Sequence, residues 1–288
     1  MIASMTGFAR LERSGPYGTL VCEIRSVNHR FLDATLRLPD SCRALEPELR
    51  QGLARELKRG KVDCSVQQRS PQAGAATLDI DHAALERLLA RLRELGSVLT
   101  QHVQIDLIEL LRWPGVLRED SADADLVLEA VRALFAQTLL ELKDARAREG
   151  ARLAALIEQR CATLVDMIAA TRARLPEAQA RIRTRFAERL RELAAQVDQA
   201  RIEQEIALML QRFDVAEELD RLSGHIEETR RTLASGEPAG RRLDFLMQEF
   251  NREANTLSSK SQDLETTRTA VEMKVLIEQM REQVQNIE

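Results

Sequence analysis

Residues 213–231, FDVAEELDRLSGHIEETRR, determine how the C-terminal third of the chain is predicted to fold. As one continuous helix, this stretch places five polar residues at steps of four, three, four and three: Asp214, Glu218, Arg221, His225 and Glu228. Residues at this spacing share one face of a helix. Because a buried helix would carry apolar side chains there, the face is either ordinary solvated surface or part of a functional site.

A turn and a second helix follow this stretch. The segment SGEPAG, residues 235–240, contains two glycines and a proline, which interrupt helices. The next segment, LDFLMQEFNREANTL, repeats apolar residues at helical spacing. We therefore predict an antiparallel hairpin in which residues equidistant from the turn lie level along the two helices. His225 is then level with Glu249, and Arg221 with Glu253.

The rest of the chain predicts an α+β fold that is predominantly helical. Three alternating segments, TLVCEIRSVN, RFLDATLRLP and GKVDCSVQQR, are typical of strands, and LEPELRQGLARELKRG is typical of an amphipathic helix. One or two long helices are expected from about residue 123 to 174, with Pro176 permitting a turn or kink. One helix is expected from about 199 to 234, before the hairpin turn. A final helix from about Leu264 has coiled-coil-like apolar spacing.

These patterns divide the chain into three predicted domains. Residues 1–120 form a small N-terminal sheet domain, residues 121–200 a long helical or coiled-coil arm, and residues 201–288 a C-terminal helical domain that carries the candidate site.

The amino-acid composition indicates which class of protein the chain belongs to. The chain has 288 residues, of which 44% are hydrophobic and 31% charged, as expected of a folded, helix-rich protein. No apolar stretch approaches the roughly 20 residues of a membrane span, and the N-terminus lacks the pattern of a signal peptide, so we expect a cytoplasmic location. The four cysteines show no CxxC pairing and are expected to be buried free thiols. A net charge of −4 neither requires nor excludes an RNA partner.

The hairpin gathers His225, Glu249 and Glu253 at one level, with Glu218 and Asp214 further from the turn. Carboxylates clustered with a histidine suit Mn²⁺ or Mg²⁺, and metal-assisted hydrolysis of a phosphodiester needs such a cluster. We expect both glutamates of the second helix on the side opposite to its apolar residues. The pattern alone leaves an alternative open, because glutamate and arginine at helical spacing most often form a solvated face with weak ion pairs.

Seven segments in order along the whole chain resemble the YicC/YloC family of bacterial endoribonucleases. They are MTGFAR, SVNHRFLD, RGKVDCSV, LLRWPGVL, DVAEELDRLSGHIEET, GRRLDFLMQEFNREANTLSSKS and VLIEQMREQVQNIE. The resemblance implies a YicC-like N-terminal domain, a C-terminal domain of unknown function, and a homohexamer whose subunits form an opening, clam-like chamber. It also implies divalent-metal-dependent cleavage of single-stranded or structured RNA, and it makes the metal site the favoured interpretation of the hairpin.

The choice of site residues is based on the predicted hairpin geometry. The predicted catalytic residues are His225, Glu249 and Glu253. The predicted metal ligands are Glu218, Glu249, Glu253 and Asp214, around Mn²⁺ or Mg²⁺. The predicted RNA contacts are Asn28, His29, Arg30, Arg221, Arg241, Arg242, Arg252 and Lys260. No organic cofactor is expected. Two alternatives remain: an RNA-binding adaptor without catalysis, and an oligomeric coiled-coil scaffold in which the acidic face forms subunit contacts.

Overall fold

The computed structural model describes residues 2–69, 79–98, 106–118, 124–193, 199–235 and 238–288. Two compact units are distinguished by the contacts within each. The first contains Met1–Gly7, Ser26–Phe31 and Lys143–Glu288, and the second contains Phe8–Arg25 and Leu32–Leu142. The three-domain division stays a prediction.

Four strands form one sheet: β1 (Gly7–Gly15), β2 (Gly18–Val27), β3 (Leu32–Arg37) and β4 (Gly60–Arg69). Their order is β1-β2-β4-β3, and β3 runs parallel to β4. The predicted alternation is confirmed, since Leu20, Cys22 and Ile24 of β2 are fully buried. Strand β1 was not predicted.

Helix α1 (Glu46–Glu56) covers the apolar face of this sheet. It follows a 3₁₀ helix, Asp40–Leu45, and connects the two parallel strands, which cannot be joined by a tight turn. Its predicted leucine face is confirmed, because Leu49 and Leu53 are buried in the same core as Cys64. This core also contains residues from about the first five turns of the long helix described below, including Val131, Leu134 and Leu142.

Two short helices and a small sheet follow in the second unit. Helix α2 (His82–Val98) and helix α3 (Leu107–Arg112) lie between strands β5 (Asp79–Ile80) and β6 (Leu117–Arg118). The two strands pair antiparallel. The two-residue strands are too short to show periodicity in the sequence.

A single helix, α4 (Ala124–Leu193), runs for 70 residues, or about 105 Å. The sequence allowed a turn at Pro176, and the structure excludes one, because the helix continues through that residue. A proline removes one backbone hydrogen bond but does not forbid a helix when packing holds it. Thr171 and Ala178 are buried on either side of Pro176 and supply that packing.

The C-terminal part contains four helices: α5 (Gln199–Arg212), α6 (Ala216–Ala234), α7 (Gly240–Lys260) and α8 (Leu264–Val284). The prediction of one helix from about 199 to 234 is therefore wrong, since the chain breaks between α5 and α6. Asp214 lies at the break, where its carboxylate accepts a hydrogen bond from the backbone N–H of Ala216 at 3.0 Å. Aspartate competes in this way with helical backbone hydrogen bonds.

The core of the first unit lies between α4, α6, α7 and α8. Ile157, Leu219, Phe250 and Ile277, one from each helix, are fully buried there. The coiled-coil-like apolar seam of the last helix packs against α7 of the same chain. The fold is thus α+β and predominantly helical, as predicted.

The two ends of the described chain pair with each other in this unit. Ser4 forms an antiparallel bridge with Ile287, and the backbone N–H of Glu288 donates to Ala3 O at 2.9 Å. Two glycines make room for this pairing, since a Cβ at Gly150 would lie 2.2 Å from Ile2 O. A Cβ at Gly240 would lie 2.4 Å from Ile287 O.

All four cysteines are free and buried, as predicted. Within the described residues, no helix is both long enough and apolar enough to cross a membrane.

We expect Asp263→Ala to lower the free energy of unfolding by about 1–2 kcal/mol at neutral pH. Asp263 is the N-cap of α8, where its carboxylate accepts hydrogen bonds from the backbone and hydroxyl of Thr266 at 3.1 and 3.0 Å. Burial opposes ionisation, but these bonds and Arg181 outweigh it and lower the pKa of Asp263 below its ordinary value of 3.8.

The sign of the pH dependence follows from that direction. A carboxyl with a lowered pKa in the folded protein stabilises above its unfolded pKa, and this stabilisation disappears as the pH falls through the folded value. Urea denaturation of both proteins at pH 7 and at pH 3 should therefore show a smaller difference in acid. An equal difference at both pH values would mean that the carboxylate charge does not contribute.

Candidate active site

The candidate site lies along the contact between α6 and α7. Charged side chains of the two helices meet at successive levels away from the turn, as an antiparallel hairpin requires. Ligand atoms of His225, Glu249 and Glu253 lie within 4.8 Å of one another. Within the described ranges, this is the one group of three or more histidine, cysteine or acidic side chains close enough to share a metal ion. The three residues therefore lie level with one another along the two helices, as the sequence predicted.

The three side chains differ in burial. Glu253 is only 3% exposed, whereas His225 and Glu249 are half-buried. The expectation that Glu253 lies opposite to the apolar side of α7 is wrong. Helix α7 packs against α6 and α8 at once, so its buried face is wide enough to include Glu253 beside Phe250 and Leu257.

His225 is held by its neighbours but keeps one ring nitrogen free. Its ring packs edge-on against Phe250, with 5.6 Å between the ring centroids. The Nε2 atom is buried and has no hydrogen-bond partner among the described residues. A buried polar atom without a partner is costly and calls for an explanation. A ring nitrogen and two carboxylates are a donor set that Mn²⁺ or Mg²⁺ accepts, so these residues fit a divalent cation.

Two arginines lie beside the carboxylates of this group. Arg221 Nη1 lies 3.5 Å from Glu253 Oε1, and the same guanidinium also pairs with Glu217. Glu217 first, and then Glu253, raises the pKa of Arg221. Arg252 Nη1 lies 3.7 Å from Glu249 Oε2. Both arginines are largely exposed, so they can turn towards an anionic ligand at little cost.

Glu218 and Asp214, two further predicted metal ligands, do not belong to this group. Glu218 is 2% exposed, and its Oε1 lies 2.7 Å from Lys260 Nζ. Its Oε2 is buried without a partner among the residues described. The same Lys260 ammonium lies 3.5 Å from the backbone oxygen of Asp214, whose carboxylate instead accepts from Ala216. A cation at Glu218 would have to compete with Lys260.

The other predicted RNA contacts on the hairpin are exposed. Arg242 pairs with Glu228, one turn from His225. Arg241 forms no ion pair with any side chain in the described part of the chain. Together with Arg252, these arginines border the site on its solvent side.

Asn28, His29 and Arg30 connect β2 to β3 and belong to the first unit. Asn28 Nδ2 donates to Gln285 O at 2.7 Å, and His29 Nδ1 lies 2.9 Å from Phe31 O. The Arg30 guanidinium lies over the ring of Phe31, 5.2 Å from its centroid. None of the three joins the His225 group.

Sequence reasoning missed two residues that shape the site. Glu217 shares Arg221 with Glu253, and its signal was the four-residue spacing that pairs a glutamate with an arginine on a helix. Phe250 supports the imidazole of His225. This role of Phe250 could not be predicted from the sequence, because the helical spacing of the apolar residues already accounts for Phe250 as a core residue.

Family profiles match nearly the whole chain. The profile described as "Endoribonuclease YicC-like, N-terminal region" matches residues 2–155, and "Endoribonuclease YicC-like, C-terminal" matches residues 171–288. The chain belongs to the YicC-like endoribonuclease family. The candidate site lies entirely within the part that matches the C-terminal profile of this family.

Two relatives show the same full-length similarity. A protein of Haemophilus influenzae named "Probable endoribonuclease YicC" is 41% identical over 288 residues, which cover all of both chains. A protein of Clostridioides difficile with the same name is 30% identical over 293 residues, again covering both chains completely. The YicC-like family assignment therefore applies to both halves of the chain together.

Proposed function

We propose that the protein is a divalent-metal-dependent endoribonuclease, a hydrolase that cuts RNA phosphodiester bonds. The observation that carries this proposal is the group formed by His225, Glu249 and Glu253, in which the His225 Nε2 atom is buried and has no hydrogen-bond partner among the described residues. Membership of the YicC-like family and the names of its relatives support an RNA substrate. The proposal assigns the cation, Mn²⁺ or Mg²⁺, to these three side chains.

A bound divalent cation supplies positive charge beside the scissile phosphate and lowers the pKa of a water molecule. The protein supplies the remaining functions. Glu253 is buried, and this burial holds its carboxylate in one position. His225 either completes the ligand set or moves a proton through Nε2, which its packing on Phe250 orients.

Phosphate binding is assigned to the exposed cations beside this group. Arg241, Arg242 and Arg252 lie on α7 within three turns and could each bind a phosphate through two parallel hydrogen bonds. Lys260 stays with Glu218 and adds positive charge further along the hairpin. Asn28, His29 and Arg30 are proposed as a separate RNA contact. The proposal also includes a homohexamer that acts in the cytoplasm in bacterial RNA turnover, as the family resemblance implies.

The test is cleavage of a labelled structured RNA by highly purified protein with Mn²⁺, with Mg²⁺ or with EDTA. We expect cleavage with a metal and none with EDTA. In Glu249→Gln the rate should fall at least about 100-fold, because removing one ligand charge costs several kcal/mol of transition-state stabilisation. Glu272→Gln on α8, which removes an exposed carboxylate paired with Arg268, is the control and should cut normally.

The variant set also separates the alternatives. Cleavage that is unchanged in Glu249→Gln contradicts the proposed site, and no cleavage by any sample favours the adaptor. An oligomer that dissociates in Glu249→Gln favours the scaffold. His225→Ala distinguishes the two roles of that residue: weaker Mn²⁺ binding identifies a ligand, and normal Mn²⁺ binding with an altered pH–rate profile identifies a proton carrier.

A further inference from the structure

Phe245 is exposed on a helix whose other large apolar residues are mostly buried. Its side chain is 58% exposed, whereas the adjacent Leu246 and Met247 are buried in the core. Exposing a phenyl ring costs solvation free energy, and single exposed rings are common on protein surfaces. The functional interest of this ring comes from its position relative to the candidate site.

Phe245 lies one helical turn from Glu249, on the solvent side of the metal group. Residues four apart on a helix have Cβ atoms about 5–6 Å apart and share one face. Arg241 lies one turn before Phe245, and Arg252 lies two turns after it. All three side chains are exposed, while Glu249 at the edge of the same face is half-buried. The ring is thus part of a surface strip, Arg241–Phe245–Glu249–Arg252.

The chemistry of this strip matches a nucleotide better than an apolar partner. Guanidinium groups at either end suit phosphates of one RNA strand on the two sides of a bound base, and a ring between them suits that base. Stacking on an aromatic side chain requires a base that is free on at least one face, which single strands, loops and bulges provide. A regular duplex keeps its bases stacked on one another and offers the ring nothing to contact.

We propose that Phe245 is a positioning residue that stacks on an unpaired base of the RNA substrate. This inference rests on the proposed function and deepens it, because it names a residue outside the metal group that recognises an unpaired base. Stacking at Phe245 holds the nucleotide one helical turn from Glu249, and the flanking arginines hold phosphates of the same strand. Specificity for unpaired RNA then comes from the ring, and cleavage from the neighbouring His225 group.

The test is binding of an RNA that carries one 2-aminopurine in an unpaired segment, measured with EDTA present. Stacking quenches the fluorescence of this base, so quenching reports the contact itself. We expect Phe245→Ala to lose the quenching and to bind about 5- to 100-fold more weakly, the range seen when one stacking ring is removed. Phe245→Trp should restore both signals, and Phe245→Leu, which keeps apolar bulk without a ring, should not.

Two controls make the result specific. Phe8→Ala removes a ring of nearly equal exposure, 56%, from strand β1 and should bind normally. A fully paired RNA of the same length should bind wild type and Phe245→Ala equally. Oligomer size is measured for each variant by sedimentation velocity.

Three outcomes would overturn the inference: full affinity in Phe245→Ala, rescue by leucine as good as by tryptophan, or dissociation of the oligomer in Phe245→Ala. The last would mean that the ring contacts a second copy of the chain. Because the assay contains EDTA and measures no cleavage, it is independent of the catalytic proposal. Wild-type protein that stacks the base on Phe245 but cleaves nothing contradicts the catalytic proposal alone.

Discussion

Glu253→Gln is expected to reduce RNA cleavage at least about 100-fold while leaving the protein folded. Glutamine keeps the shape of the side chain but removes the charge that a divalent cation needs, a loss of several kcal/mol in the transition state. Mn²⁺ binding, measured by isothermal titration calorimetry, should weaken in parallel. A variant that binds Mn²⁺ like wild type would show that Glu253 is not a ligand.

The same substitution should have little effect on the free energy of unfolding. A 3% exposed carboxylate has lost most of its hydration, and its one ion pair among the described residues is a 3.5 Å contact with the exposed Arg221. The guanidinium keeps Glu217 as a partner after the substitution. We therefore expect the free energy of unfolding to change by less than about 1 kcal/mol or to rise.

Glu217→Gln is the matched control for this prediction. It removes a carboxylate from the same arginine, but its own side chain is exposed and lies outside the His225 group. Cleavage should stay within about threefold of wild type, since exposed ion pairs contribute about 0–1 kcal/mol. If Glu217→Gln and Glu253→Gln lose activity equally, the effect acts through Arg221 rather than through the metal.

Arg146→Ala is expected to lower the free energy of unfolding by about 3–5 kcal/mol. Arg146 is 3% exposed; its Nε donates to Ser4 O at 2.6 Å, and its Nη2 pairs with the Glu288 carboxylate. Removing the guanidinium leaves a mostly buried carboxylate and a backbone oxygen without their partner. Urea denaturation followed by circular dichroism measures the loss.

Two further variants test the reason for that loss. Arg172→Ala removes an exposed arginine paired with Asp220 and should cost less than about 1 kcal/mol. The double variant Arg146→Met/Glu288→Met removes both charges of the buried pair and should recover part of the stability, since unpaired buried charge is the main cost. A double variant that is as unstable as the sum of the single ones would assign the loss to packing instead.

The sequence predicted the main features of the fold because they are periodic. Alternation in β2 and the four-residue leucine spacing in α1 each reflect one buried face and one solvated face. The hairpin was predictable for a similar reason. Once SGEPAG was identified as a turn, a rise of about 1.5 Å per residue placed His225 level with Glu249 without any knowledge of packing.

The wrong predictions have different causes. The helix break at Asp214 is local, because the aspartate accepts a hydrogen bond from the backbone N–H of Ala216, a contact that periodicity does not show. The continuous helix at Pro176 runs against the usual local signal, and there tertiary packing decided the outcome. Pairing of Glu218 with Lys260, 42 residues later, depends on which helix faces which.

By itself, the sequence determined strands β2, β3 and β4, the amphipathic helices and the level at which His225, Glu249 and Glu253 meet, because each follows from local periodicity. Only the tertiary structure decided how deeply each carboxylate is buried and which cation it contacts. The width of a helix's buried face depends on how many neighbours pack against it, and α7 has two. That second neighbour places Glu253 in the interior while Phe245, on the free side, stays exposed to solvent.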